Sequence, residues 1–287
     1  MSGRNLLAPE RVGVLGGGRM GAGIAHAFLL AGSQVVVVER DEPTAAAAGE
    51  RIRESLRRSV ERGSTDQTFD ELEALLSTGA DTALFADRDL VVEAVPEDRA
   101  LKVDSLRRIE AAAPGAAVAS NTSSISIDDL AASLDRPQRF LGLHFFNPVP
   151  ASSLVEVVVG AATEQELVDD ARGWVEALGK TAVVVADAPG FASSRLGVAI
   201  ALEAIRMLEE GVATAADIDA AMELGYRHPT GPLRTTDIVG LDVRLGIAEE
   251  LHAKLGDRFA PPQLLRDMVA DGHLGRKTGR GFYEWSE

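Results

Sequence analysis

The sequence predicts an α/β chain, a doubly wound and largely parallel sheet followed by a smaller all-helical domain. Two observations carry this. From Arg11 to about Val185, short β-branched runs alternate with amphipathic or alanine-rich segments, the order from which parallel sheets with helical crossovers are built. After Asp187-Ala188-Pro189-Gly190 the rhythm changes: Leu196, Ile200, Leu202, Ala204, Ile205 and Leu208 recur at helical spacing, and no further strand is convincing. The division is placed so that 1–187 form the sheet domain and 188–287 the helical one.

Taken in order, strands are expected at Val12–Leu15, Gln34–Val38, Leu90–Val95, Ala117–Ala119, Phe140–His144, Leu154–Val159 and Ala182–Val185. Helices are expected between them at Met20–Leu30, Thr44–Arg62, Phe69–Leu76, Leu101–Ala112, Ile127–Leu134 and Glu164–Leu178. The helical domain reads as Ala192–Glu209, Ala215–Leu224, Val239–Leu255 and Pro262–Asp271, closed by Gly275-Arg276-Lys277-Thr278-Gly279.

Composition narrows the classes. With 287 residues the chain can bury a large core. The absence of cysteine rules out disulfides and thiolate chemistry, and suits a cytoplasmic setting. Five scattered histidines are a poor basis for a zinc site, and no metal is expected. No apolar run approaches the ~20 residues that span a bilayer, and the N-terminal stretch lacks a signal-peptide pattern. A net charge of −15 argues against nucleic acid, whose phosphates are neutralised by Lys and Arg. An anionic ligand must therefore be gripped locally.

The first such grip is Val12-Gly13-Val14-Leu15-Gly16-Gly17-Gly18-Arg19-Met20-Gly21, an apolar strand running into spaced glycines and then a helix. Gly16 allows the tight turn, Gly18 lets the backbone approach a pyrophosphate, and Gly21 lets helix and strand pack closely. The N–H groups at the helix start, with Arg19 and Met20 among the cofactor contacts, receive the anion. A second apolar strand ends in Glu39, whose carboxylate can accept from both hydroxyls of an adenosine ribose. This is a Rossmann-type signature. The acid at 39 favours NAD over NADP, with Arg40 beside it as a possible phosphate partner.

Two further features carry chemistry. Ser120-Asn121-Thr122-Ser123-Ser124 follows a strand at the carboxyl edge of the sheet, where ligands of doubly wound folds sit; the plain alternative is a helix N-cap, the better reading for any single serine here. His144 ends another strand, and Glu156 stands alone in the apolar run Leu154–Val159. A carboxylate on a buried strand needs a partner, and His144 is the obvious one. Such a pair fixes the imidazole tautomer and stabilises its protonated form, as general acid–base work near neutrality requires. The alternative is an edge strand with Glu156 facing water.

Together these motifs closely resemble the short-chain L-3-hydroxyacyl-CoA dehydrogenases, particularly bacterial 3-hydroxybutyryl-CoA dehydrogenases. The resemblance extends through Val92-Glu93-Ala94-Val95, Ala188-Pro189-Gly190-Phe191, His228-Pro229-Thr230-Gly231-Pro232-Leu233, Asp237-Ile238-Val239-Gly240-Leu241-Asp242 and Gly275–Tyr283, almost the whole chain. It implies oxidation of an (S)-3-hydroxyacyl-CoA by NAD. His144 would remove the 3-hydroxyl proton, Glu156 would orient it, and Ser123 would bond the substrate oxygen. It also implies cofactor contacts at Glu97, Lys102 and Lys277, which otherwise read as solvated surface charge. Ser123 and Asn147 would touch both cofactor and substrate, Ser55 and Arg62 would contact coenzyme A, and the helical domain would complete the cleft and form a homodimer. One departure stands out: the family's asparagine after Pro-Gly-Phe is Ser194 here, with shorter reach and no amide, so that substrate placement passes to Ser194 through water or to Asn147. Arg58 and Arg62 are one helical turn apart and share a face; a salt-bridged solvent face is at least as good a reading for Arg51, Arg53 and Arg57. Two rival functions remain open, a dehydrogenase of small hydroxy acids without coenzyme A and a catalytically idle NAD-binding sensor.

Overall fold

Strands rich in valine, with apolar side chains toward both faces, are stable only between two layers of helix. The computed structural model, which describes residues 7–285, has this arrangement. In chain order the first unit comprises β1 (Arg11–Leu15), α1 (Arg19–Leu30), β2 (Gln34–Val38), α2 (Glu42–Glu61), α3 (Phe69–Glu73), β3 (Leu76–Gly79) and β4 (Leu90–Glu93). It continues with α4 (Arg99–Ala112), β5 (Ala117–Ser120), α5 (Ile127–Ala131), β6 (Phe140–Phe145), β7 (Leu154–Val159), α6 (Gln165–Ala177) and β8 (Thr181–Ala186). The strands form a single sheet in the order β3-β2-β1-β4-β5-β6-β7-β8. All neighbours are parallel except β6 and β7.

The order reverses beside β1: the chain leaves to one side for β2 and β3, then crosses back to place β4 on the other. Ligands of open α/β sheets bind in the crevice at the carboxyl ends of such a pair. Here those ends are Leu15 and Glu93, directly paired in register. Val14, Val37 and Val92 behind them are completely buried, so the crevice rests on a rigid floor.

Two elements differ from the sequence reading. The stretch expected to stay helical to Leu76 stops at Glu73. A capping box, in which the Thr68 hydroxyl and Glu71 carboxylate each take the other's backbone N–H, starts α3, and the chain then joins the sheet edge, with Val35 N–H donating to the Leu75 carbonyl at 2.8 Å. β3 is short and half polar, as an edge strand can be, and leaves little periodic signal. In the second unit, which begins at Pro189 and contains α7 (Ser193–Glu209), α8 (Ala215–Tyr226), α9 (Pro232–Val239), α10 (Leu241–Leu255) and α11 (Gln263–Ala270), the element not foreseen is α9. Gly240, at φ 106°, separates it from α10.

This unit packs around Val198, Leu202, Ile205, Leu233 and Leu241, and around two buried carboxylates. Asp219 on α8 accepts the Leu233 and Arg234 N–H groups that open α9, at 2.8 and 2.9 Å, and the Tyr283 hydroxyl at 2.7 Å. Asp237 accepts the Phe282 and Tyr283 N–H groups and the Trp285 indole. A Cβ at Gly281 would fall 2.2 Å from the Asp237 carboxylate, which explains glycine there.

In the first unit His26 lies on α1, 2 % exposed, with Nε2 at 2.9 Å from the Ser59 hydroxyl of α2 and Nδ1 buried without a partner. Burial, and then the Lys180 ammonium, lower its pKa from 6.5 to about 4. The unfolded chain thus binds this proton more tightly, so the stability contributed by neutral His26 is present above pH 6.5 and lost as pH falls toward 4. The stability difference between the wild type and His26→Gln should shrink by about 3 kcal/mol over that window. Denaturant titrations at successive pH values measure it; parallel pH profiles for the two proteins would contradict the assignment.

Candidate active site

The glycine turn fills the space its sequence demands. Gly16 has φ 96°, and a Cβ there would lie 2.9 Å from the Ala94 carbonyl oxygen at the end of β4. A Cβ at Gly21 would lie 1.7 Å from the Gly16 carbonyl, so only glycine lets α1 approach β1 this closely. At Gly18 a Cβ would meet nothing within 4 Å. Gly18 is also the N-cap of α1, supplies no side-chain cap, and is followed by a first turn without acids. An open approach to uncapped N–H groups is what a pyrophosphate needs, and the chain fits a dinucleotide here.

Glu39, just past β2, accepts the Gly17 N–H at 2.7 Å and its neighbour's N–H at 3.2 Å. The Arg40 side chain is 81 % exposed and engaged with Asp41 at 3.3 Å. Of the arginines on α2, Arg51 donates to the Gly17 carbonyl at 2.5 Å and so braces the turn. Arg53 pairs with Glu50 and Glu73, Arg58 with Glu54, and Arg57 lies over the Phe69 ring. Exposed pairs of this kind are each worth about 0–1 kcal/mol. Ser55 is half-buried on α2, and Arg62 is its exposed C-cap.

The serine cluster does not cap α5. That task falls to Ser126, whose hydroxyl accepts the Asp129 N–H and donates to Asp187 at 2.6 Å. The preceding residues instead surround the Glu97 carboxylate. Its Oε1 accepts from the Thr122 hydroxyl at 2.6 Å, Ser123 N–H at 2.9 Å, Ser124 N–H at 3.0 Å and the Ser124 hydroxyl at 3.1 Å. Burial alone would push the Glu97 carboxyl up, but the Thr122 hydroxyl, the Lys102 ammonium and the serine donors outweigh it and hold the group below the usual carboxylate range. Ser123 itself is exposed.

Lys102 corrects the surface-charge reading: it is 1 % exposed. Its ammonium lies 2.8 and 3.1 Å from the two oxygens of Glu93, 3.1 Å from the Val95 carbonyl and 3.3 Å from Glu97 Oε2. Glu93 and Ser120, which accompany it, were not singled out as site residues. The rule that picks out Glu156, a lone acid in an apolar strand, applies equally to Leu90-Val91-Val92-Glu93.

His144 and Glu156 are register partners across the antiparallel β6–β7 pair, and Nδ1 lies 2.8 Å from Oε2. Both are buried, Glu156 completely, and β8 on the far side of β7 makes an edge position for Glu156 impossible. The His144 ring also packs against Phe146, centroids 4.5 Å apart. The carboxylate thus holds the ring through Nδ1 and fixes its orientation. Asn121 ties this strand to the serine segment by accepting the Phe145 N–H at 2.9 Å. Asn147 follows β6 and is exposed.

In the helical unit Ser194 occupies the first turn of α7, half-buried. Lys277 is also not simply solvated: its ammonium is 2.6 Å from both oxygens of Asp242, at the start of α10, and holds that carboxyl below its usual range. Asp242 had no signal beyond its place in a motif. Among the described residues no group of histidines and carboxylates could hold a metal ion, and no helix is long and apolar enough to cross a membrane.

Comparison with known proteins places this geometry. Residues 11–188 match the model of the 3-hydroxyacyl-CoA dehydrogenase NAD-binding domain, and residues 190–285 that of the 3-hydroxyacyl-CoA dehydrogenase C-terminal domain. The chain is 43 % identical to a 3-hydroxybutyryl-CoA dehydrogenase of Mycobacterium tuberculosis, over 97 % of this chain and 99 % of the relative. It is 40 % identical to a probable 3-hydroxybutyryl-CoA dehydrogenase of Bacillus subtilis, over 97 % and 98 %. The crystal structure of (S)-3-hydroxybutyryl-CoA dehydrogenase from Ralstonia eutropha superposes with a TM-score of 0.92 at 37 % identity, over 98 % of this chain and all of that one. The paired domain models and the full-length relatives agree: the chain belongs to the 3-hydroxyacyl-CoA dehydrogenase family.

Proposed function

We propose that the protein oxidises (S)-3-hydroxyacyl-CoA, with a short acyl chain such as 3-hydroxybutyryl, reversibly to the 3-oxoacyl-CoA. The observation that carries this reading is the buried His144–Glu156 pair, 2.8 Å apart at the carboxyl edge of the sheet in a chain of this family. Bound NAD supplies the hydride acceptor. The glycine turn 16–21, including Arg19 and Met20, holds its pyrophosphate, and Glu39 its adenosine ribose. Arg40, turned to Asp41, leaves Glu39 as the charge beside the ribose, which supports NAD over NADP.

Proton chemistry belongs to His144. Its Nε2 accepts the 3-hydroxyl proton as the C3–H bond breaks, and Glu156 on Nδ1 fixes the tautomer and balances the imidazolium that forms. In the reverse direction the same atom returns the proton to the 3-oxo oxygen. Ser123 donates to that oxygen. Glu97, Lys102, Asn147 and Lys277 are assigned to the cofactor side, Lys102 acting from within the protein through Glu97. Ser194 and Asn147 place the acyl group, and Ser55 and Arg62 bind coenzyme A, an anion that a chain of net charge −15 must recognise locally. The domain to Ala188 binds NAD and the remainder contributes to substrate binding and to a homodimer, in the cytoplasm.

His144→Ala should lower kcat by about 10²–10⁴-fold while NADH affinity stays within error; near-normal turnover of acetoacetyl-CoA would sink the assignment. Glu156→Gln should lower kcat on the order of ten- to a hundredfold while the KM for NADH stays within error. Wild-type turnover in this variant would show that the pair has no part in proton transfer. Steady-state comparison of cofactors should give NADH a lower KM than NADPH, and equal values would count against Glu39. Free acetoacetate should be a poor substrate beside acetoacetyl-CoA; the opposite order would point to a hydroxy-acid dehydrogenase on the same scaffold.

A further inference from the structure

Beneath the exposed Ser123 lies a run of buried charge that the proton-transfer scheme does not use. Glu93 ends β4, entirely buried, and is the register partner of Ser120 on β5. Its Oε2 accepts the Ser120 hydroxyl at 2.6 Å, and its Oε1 accepts the Val95 N–H at 2.7 Å. Lys102 reaches in from α4 and spans both oxygens. The same ammonium then meets Glu97 at 3.3 Å, and Glu97 gathers Thr122, Ser123 and Ser124. A second path runs from Ser120, whose hydroxyl oxygen accepts the Thr122 N–H at 3.2 Å, while Thr122 Oγ1 accepts the Ile125 N–H at 3.0 Å. The segment 120–125 is therefore clamped at both ends by groups that lead back to one carboxylate.

We propose that Glu93 and Ser120 are positioning residues: they hold the Lys102 ammonium, and through it Glu97, so that the serine segment presents Ser123 in a single geometry.

Three physical points support this. Burying an ion pair costs several kcal/mol per ion, and well-packed apolar side chains would serve stability as well or better. A buried Lys–Glu pair at the end of a valine strand is therefore explained by what its geometry organises. Second, two carboxylates repel one another across a short distance, and Lys102 between them makes the approach of Glu97 to the sheet favourable. Without Glu93 the ammonium has no fixed seat, since the Val95 carbonyl is the remaining partner on that side. Third, the Lys102 ammonium meets four oxygens from three residues, Glu93, Val95 and Glu97, so the network is satisfied at its centre.

This inference rests on the dehydrogenase reading for the role of Ser123, but not for the clamp itself, and the experiment separates the two. Glu93→Gln and Ser120→Ala are made alone and with Ser123→Ala, and kcat/KM for acetoacetyl-CoA with NADH is measured alongside amide hydrogen exchange. A positioning role predicts that Glu93→Gln alone costs about ten- to a hundredfold, but less than about threefold once Ser123 has already become alanine. Ser120→Ala, which removes one hydroxyl and is the safer variant for folding, should show the same coupling at smaller amplitude. Exchange across 121–126 should quicken about tenfold or more in both variants, while β7 and α1 keep wild-type protection. Undiminished penalties in the Ser123→Ala background, or unchanged exchange at 121–126, would overturn the proposal. Should the wild type fail to reduce acetoacetyl-CoA at all, the functional reading falls and the exchange result still judges the clamp.

Discussion

A carboxylate survives inside a sheet only when each of its oxygens is given a partner, and this constraint governs the catalytic half of the molecule. Glu93 and Glu156 both lie on interior strands with no exposed surface, among valines that would be cheaper to bury. Each is answered across the strand ladder. Glu156 faces His144 in the antiparallel β6–β7 pair, and Glu93 faces Ser120 in the parallel β4–β5 pair. Because side chains alternate along a strand, a slip of one residue in either register would turn the acid away from its partner. The hydrogen-bond ladder is thus what sets both pairs, and the fold cannot form in a neighbouring register without stranding a charge.

The same sheet solves the problem of holding an anionic cofactor on an acidic protein. Reversal of strand order beside β1 opens the crevice, and the Gly16 turn, pressed against the end of β4, directs the start of α1 into it. Backbone N–H groups supply the positive end, so no cluster of lysines is needed. Arg51 strengthens the turn by donating to the Gly17 carbonyl, while Glu39 takes the Gly17 N–H. Arginine on α2 therefore has a structural use at 51, an ion-paired surface at 53 and 58, and the exposed C-cap position at 62.

What could be read from the sequence follows from how strongly each element signals locally. Interior strands such as Gln34–Val38 and Leu154–Val159 are valine-rich runs, each with a single polar residue, and their limits coincide with the sequence reading. The edge strand β3 and the helix α9 were invisible because both depend on partners far along the chain. β3 exists because β2 offers it a ladder, and α9 begins where Asp219, on another helix, accepts its first N–H groups. The site shows the same pattern. Glu156 was conspicuous as a lone acid in an apolar strand, and the pairing with His144 followed from adjacency. Lys102 lies in an amphipathic helix, Arg99–Ala112, where a lysine normally faces water, and its burial is decided by Glu93 nine residues earlier. Ser126, rather than any residue of 120–124, caps α5 because it directly precedes Ile127 and its hydroxyl accepts the Asp129 N–H, while Thr122 Oγ1 accepts N–H groups within its own turn.

The helical unit shows why a shared motif and a shared role are different things. His228–Leu233, Asp237–Asp242 and the Gly275–Tyr283 segment are among the strongest points of family likeness, yet much of their geometry is mutual support: Asp219 and Asp237 bind the backbone of α9 and of the closing segment, and glycine at 281 makes room for the second of them. Lys277 and Asp242, from two of these motifs, form an ion pair with one another. The departure at Ser194 leaves this support intact, since the carboxylates that assemble the unit lie elsewhere, and its proposed bearing is on substrate placement. A hydroxyl in place of an amide removes one donor, keeps an acceptor oxygen and shortens the side chain. On the reading proposed above, proton transfer rests on the β6–β7 register and acyl placement on Ser194, so acyl preference is the property in which that reading lets this chain differ from its relatives.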